Sequence, residues 1–249
     1  QTYLKYPSLA KQLVYLKSFI TSYHLSEMGF DINTIPVLDI PNSKTISMIK
    51  KRTFGSDLDI SIKLNEIFVN TSIFMGIAPV MKHIPGHGLT SKDSHLSLPK
   101  VSSSLKILQN QLKLFQHFKH LPYAMTAHIK YEKWDNENMA TYSNSIIQKI
   151  IRQQIKFRGL IMSDDMTMKA NQYGIQESII KCNQSGVDIF LDCSSDWGRY
   201  LEVIKSFKIT SRYKNSLKIN KAKGNVDLKS INIIQYHDLY NELIKHYGI

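Results

Sequence analysis

Two segments carry residue types able to make or break bonds. The first, Lys82 to Pro99 (KHIPGHGLTSKDSHLSLP), gathers three histidines, Asp93 and two glycines. His83 and His87 have the i, i+4 spacing of a helical zinc motif, but Pro85 and Gly86 between them argue against a helix, so no metal is expected. Asp93 and His95 are one residue apart and predict a carboxylate–imidazole pair. In such a pair the carboxylate fixes the ring's tautomer and raises its basicity, giving an acid and base tunable near neutral pH. The second segment, Phe157 to Ala170 (FRGLIMSDDMTMKA), is an apolar run ending in Ser163, Asp164 and Asp165. With a period of two, the adjacent carboxylates point to opposite sides, so one can face a substrate while the other serves structure or caps the next helix. Spacing alone leaves open which is which.

Elements able to position these groups alternate along the chain. A helix begins at Ser8, with Leu9, Leu13, Leu16 and Ile20 at helical spacing and Gly29 as a stop signal. Helices are also expected from Ser56 through Ile67, over Ser104 to Phe118 and Ser143 to Ile155, near Gln176 to Gln184, and near Trp197 to Phe207. Between them lie apolar strands: Ile32 to Ile40, Ile77 to Met81, Tyr123 to His128, Gly159 to Met162 and Val187 to Leu191. Alternating β and α with nearly continuous apolar strands predicts a parallel sheet covered by helices. No G-x-G-x-x-G turn follows a strand. Polar residues stand at strand ends instead: Asp39, Lys82 with His83, His128, and Ser163 with Asp164. A TIM-type (β/α) barrel gathers such ends at one mouth, so an α/β fold of that type is expected. Five strands are visible where closure needs eight, which predicts an incomplete barrel, and 209–249 reads as a weakly patterned tail.

The 249 residues, 43% hydrophobic, suit a single domain. No apolar run is long enough for a membrane span, and the first residues carry no export signal. Cys182 and Cys193 are expected to be core residues in a reducing cytoplasm. The net charge of +12 is spread along the chain rather than interleaved with stacking aromatics, so neither nucleic acid nor membrane is an expected partner.

KHIPGHG with DSH, followed by SDDMTMKA, resembles the two signature segments of the bacterial β-N-acetylhexosaminidases of glycoside hydrolase family 3, which act in cell-wall recycling. The likeness runs from Tyr6–Ser8 through PVLDI, KRTFG, MTAH and SGVD and fades after about Lys208. It implies Asp164 as nucleophile, His95 as general acid and base with Asp93 as its partner, and Arg52, Lys82 and His83 as contacts to the sugar. His87 would hold the loop, and Asp39 and His128 would be structural or support the contact residues. The implied activity is that of a retaining exo-hydrolase releasing β-linked N-acetylglucosamine from peptidoglycan fragments. No cofactor is needed, because every role has a side chain, and a cytoplasmic monomer is expected. A phosphorylase stays open, since a histidine acid tolerates an anionic acceptor. Two departures stand out: Leu89 replaces the acidic residue usual after GHG, predicting a less well held loop, and the family's D-x-E-G-G-R segment would precede Gln1. The second departure keeps a non-catalytic remnant or sugar-binding module as the alternative.

Overall fold

The computed structural model describes residues 2–216 and 226–248. Four parallel strands form the central sheet in the order β1–β2–β4–β6: β1 (Ile32–Asn33), β2 (Ala78–Ile84), β4 (Tyr123–Thr126) and β6 (Leu160–Met162). A second, two-stranded parallel sheet pairs β3 (Lys100–Val101) with β5 (Lys130–Tyr131). Two expected strands are shorter than predicted. The first pairs over Ile32–Asn33 and returns as a bridge from Val37 to Lys82, the chain between them turning through a cis Ile35–Pro36 bond. The fifth is a bridge at Ile189, with backbone bonds from Asp188 and Ile189 to Ile161 and from Ser163 to Ile189.

Alternation across the sheet separates two apolar layers, as the period of two requires. Met81, Ala124 and Ile161 lie side by side and pack outward among Leu108, Leu112 and Phe115. Those three recur at helical spacing on the helix Leu105–His117 and are all but inaccessible. The opposite face holds Val80, Met125 and Met162, with Tyr123, Ile189 and Leu191 against them. Lys82 lies beside Met125 and so shares that second face, and Asp164 follows β6 two residues beyond Met162.

The other helices follow the expected order: Pro7–Glu27, Leu58–Phe74, Ile146–Gln154, Ile175–Ser185 and Trp197–Ser206. Asp57 caps the second of them by accepting from Ile60 N at 2.9 Å. The segment Ile146–Gln154 is wound as a π-helix rather than the α-helix its spacing predicts. The tail is more ordered than its pattern suggested, with helices at Ser211–Ser216 and Ile233–Tyr247, while 217–225 lies outside the described residues. Tyr236 stacks on Phe19 with ring centroids 4.4 Å apart, docking the last helix on the first long one. No described helix is long and apolar enough to cross a membrane.

One buried ion pair ties helix to sheet. Arg152 Nη2 donates to Asp188 Oδ2 at 3.0 Å, and the same oxygen accepts from Ile161 N at 2.9 Å while Thr210 Oγ1 donates to Oδ1 at 2.6 Å. Burial pushes the Arg152 guanidinium down to about 10, and its Nε already lacks a partner. Replacing Asp188 with Ala therefore strands a buried cation, and urea denaturation is expected to report a loss of about 3–5 kcal/mol. A loss below about 1 kcal/mol would mean that the pair contributes little.

Candidate active site

The site is built at the carboxyl ends of β2, β4 and β6. The buried carboxylate of Asp39 is its anchor: Oδ2 lies 2.8 Å from His83 Nδ1, and Oδ1 accepts from His83 N at 3.2 Å and from His87 N at 2.6 Å. Burial pushes the Asp39 carboxyl up, but the His83 and His87 rings and these hydrogen bonds outweigh it and hold the group below its ordinary value. The Lys82–His83 and Ile84–Pro85 bonds are cis, and the register of β2 against β4 shifts between Lys82 and Ile84. Glycine is required next, because a Cβ on Gly88 would stand 2.0 Å from the carbonyl oxygen of Ile40. Gln111 Nε2 caps that carbonyl at 2.9 Å, and Tyr131 donates to the carbonyl of Gly86 at 2.8 Å.

The loop that follows is held without an acidic residue at position 89. Thr45 donates to the carbonyl of Gly88, Ile46 N donates to that of Thr90 at 3.1 Å, and Leu89 itself packs against the main core. The expected loss of loop support is thus offset by a neighbouring loop and by apolar contact. Both ring nitrogens of His87 are engaged, Nδ1 with Thr90 Oγ1 at 2.8 Å and Nε2 with Ser94 Oγ at 3.2 Å. Burial pushes His87 down to about 4, so it is neutral near pH 7.

Asp93 and His95 form a pair: Asp93 Oδ1 lies 2.9 Å from His95 Nδ1 and accepts from His95 N at 2.9 Å. The His95 side chain is 54% exposed and makes no direct bond to Asp164. Its loop is nevertheless tied to the Asp164 segment, since Ala170 N donates to the carbonyl of Ser94 at 3.1 Å. At its far end the loop runs into β3, and the β3–β5 ladder fixes that exit.

The two aspartates at the end of β6 separate in role as well as direction. Asp165 is committed to structure, accepting from Thr167 N at 3.0 Å, Thr167 Oγ1 at 2.5 Å and Cys193 N at 3.1 Å. Asp164 is largely buried, accepts from the Asp165 N–H at 2.9 Å, and has His83 Nε2 4.0 Å from its Oδ2. Burial pushes its carboxyl up, whereas the His83 and His128 rings, the Asp165 N–H and Lys82 together pull it below its ordinary value. Lys82 donates to Thr34 Oγ1 at 3.2 Å and feels the exposed Arg52 as well as Asp164 and Asp39. Asp164, Lys82, His83 and Arg52 are therefore one electrostatic cluster. The Asp93–His95 pair stands at its rim, with His95 and Asp164 both acting on the buried His128.

Sequence reasoning undervalued Asp39 and His128. Asp39 is the hub of the first segment, and the signal for it was a carboxylate closing an otherwise apolar strand. His128 closes MTAH in the same way, but its support, Thr141, lies 13 residues further on and had no signal of its own. Cys193, expected in the core, is exposed beside Asp165.

Comparison with known proteins matches this arrangement to established relatives. Residues 7–220 match the model of the glycosyl hydrolase family 3 N terminal domain. A beta-hexosaminidase of Shewanella frigidimarina is 33% identical over 204 residues, 77% of this chain and 57% of its own. One of Psychromonas ingrahamii is 28% identical over 215 residues, 82% of this chain and 62% of its own. The chain thus spans about six-tenths of the length of these curated relatives. Among solved structures, NagZ from Neisseria gonorrhoeae in complex with N-trifluoroacetyl-D-glucosamine superposes with a TM-score of 0.83 at 24% identity, covering 98% of this chain and 73% of that one. That likeness identifies the fold, so the open parallel sheet with its outer helices is part of a TIM-type barrel. With 214 consecutive residues matched and the two signature segments joined at one end of that sheet, the chain belongs to glycosyl hydrolase family 3.

Proposed function

We propose that this chain carries the catalytic residues of a retaining exo-hydrolase that releases β-linked N-acetylglucosamine from peptidoglycan fragments, acting as a monomer in the cytoplasm. The observation that carries the reading is a largely buried carboxylate, Asp164, held below its ordinary value by neighbouring imidazole, N–H and lysine groups at the mouth of the sheet, with an exposed histidine–aspartate pair on an adjoining tethered loop. The relatives' name, beta-hexosaminidase, supports the substrate class.

In this mechanism an Asp164 oxygen attacks the anomeric carbon as the bond to the leaving oxygen breaks, and His95 Nε2 delivers its proton to that oxygen. Water then cleaves the glycosyl ester, with His95 Nε2 taking the water's proton and Asp164 leaving as the free carboxylate. Two inversions retain configuration. Asp93 holds His95 Nδ1–H, which leaves Nε2 as the working atom and stabilises the charged ring. A histidine acid has an advantage beside Asp164: its neutral form adds no repulsion to a nearby carboxylate, so neither group needs a raised carboxyl pKa. Arg52, Lys82 and His83 supply donors for the sugar's hydroxyl and acetamido oxygens.

Turnover of a chromogenic β-N-acetylglucosaminide tests this directly. Asp164→Ala is expected to abolish it, and His95→Ala to lower it by about 10²–10⁴-fold, less where the leaving group is already acidic. Unaltered rates in Asp164→Ala would sink the reading.

Stability limits the acid side of such assays. His87 and His128 are pushed by burial to about 4 from 6.5. Between those values the unfolded chain binds protons that the folded chain refuses, so stability is complete above about pH 6.5 and falls as pH drops towards 4. Each histidine contributes on the order of 3 kcal/mol at most. The urea midpoint should decline through that window, and a flat midpoint would contradict the neutral, buried state of both rings.

A further inference from the structure

Asp39 uses its two oxygens for different partners. Oδ1 accepts from the backbone N–H groups of His83 at 3.2 Å and His87 at 2.6 Å, whereas Oδ2 meets the ring of His83, 2.8 Å from Nδ1. The carboxyl is buried and held below its ordinary value, so near neutral pH it carries no proton and acts only as an acceptor. A contact this short between a bare oxygen and a ring nitrogen needs a hydrogen between them, and only the nitrogen can supply it. His83 therefore has a proton on Nδ1 in both the neutral and the charged form of its ring.

Nε2 is then the atom at which the ring gains or gives up its second proton. It lies 4.0 Å from Asp164 Oδ2, too far for a hydrogen bond. Exposure rises along this line, from 0% for the Asp39 side chain through 6% for His83 to 16% for Asp164. Nδ1 thus faces the closed end of the series and Nε2 the end nearer the mouth. The other titratable groups around the ring leave the assignment unchanged. His87 stands edge-on, with ring centroids 5.4 Å apart, and its two nitrogens are engaged by Thr90 and Ser94. His128 interacts with the ring electrostatically, and Lys82, the preceding residue, turns its ammonium to Thr34 Oγ1 at 3.2 Å.

We propose that Asp39 is a positioning residue for the glycosidase reaction: by holding a proton on His83 Nδ1, it makes Nε2 the ring nitrogen through which His83 meets the sugar. The inference rests on the glycosidase reading, in which His83 touches the sugar, and adds to it the residue that decides which nitrogen does so. The same geometry shows how to reverse the arrangement. In Asp39→Asn the amide oxygen takes the Oδ1 position, because two N–H groups converge there, and the NH2 group is turned towards His83 Nδ1. Nδ1 then accepts, and the ring's permanent proton moves to Nε2.

Ring nitrogen NMR on the isotopically labelled chain tests this without turnover. Between about pH 5.5 and 8.5, where histidines titrate, the wild type should keep the His83 proton on Nδ1 throughout, with any change confined to Nε2. Asp39→Asn should show a bare Nδ1 and a permanent proton on Nε2. A bare Nδ1 in the wild type, or a proton left on Nδ1 in Asp39→Asn, overturns the proposal. The pH profile of kcat/KM for a chromogenic β-N-acetylglucosaminide supplies the second arm. The wild-type profile should bend where NMR sees Nε2 take up its proton, and Asp39→Asn should lose that bend. A merely structural Asp39 would lower the whole profile and leave the bend in place, which refutes the role of Asp39. Should Nε2 not titrate in this range, or Asp39→Asn not fold, the Nδ1 signal of the wild type decides. A misplaced proton in an active wild type refutes the role of Asp39 alone, whereas a wild type that neither binds nor cleaves the sugar refutes the glycosidase reading and with it the use of Nε2.

Discussion

A buried carboxylate that receives one imidazole and two backbone N–H groups is the constraint on which the rest of the site depends. Asp39 reaches across from the neighbouring strand to hold His83 and His87 at once, and a charge in such a place is tolerated only because every bond offered to it is charged or well aimed. Fixing those two residues fixes what comes after them. His87 grips Ser94 and Thr90, Ser94 grips Ala170, and the chain on either side of the loop is thereby bound to the strand end that carries Asp164. The site is thus a linked series in which the fully buried end is rigid and the chemical end meets solvent.

Electrostatics runs in the same direction. At the buried end, rings are neutral because water is excluded, as with His87 and His128, both pushed to about 4. Nearer the mouth Asp164 keeps its charge despite burial, because the His83 ring, the Asp165 N–H and Lys82 face it. A carboxylate that is desolvated yet still ionised is a better nucleophile than one in water, provided the sugar arrives to replace the missing solvent. Asp165, one residue on, shows the contrast: its hydrogen bonds are all taken up in pinning the loops around Thr167 and Cys193.

Much of this was legible in the residues. Apolar runs ending in polar pairs gave the strands and the end of the sheet where chemistry could occur, and the one-residue gap between Asp93 and His95 gave their pairing. Roles that depend on distant partners were not legible. Nothing near Asp164 and Asp165 says which one bonds the N–H of Cys193, 28 residues away, and nothing near His128 points to Thr141. The strands at Ile32–Ile40 and Val187–Leu191 were overextended because apolar, β-branched composition records burial, while ladder pairing needs a neighbour on the correct side. The helix at Ile233–Tyr247 was missed because its stability comes from Tyr236 lying on Phe19, more than two hundred residues earlier.

Ser94 is gripped at both its side chain and its carbonyl, and the exposed ring of His95 is attached to the very next residue. A group mounted so close to a fixed point can travel only a short arc, set by its own torsions rather than by any large rearrangement of the loop. One end of that arc lies in bulk water, where the ring can exchange its proton with buffer. In the proposed mechanism, proton supply and bond cleavage would then be separated by a single side-chain rotation.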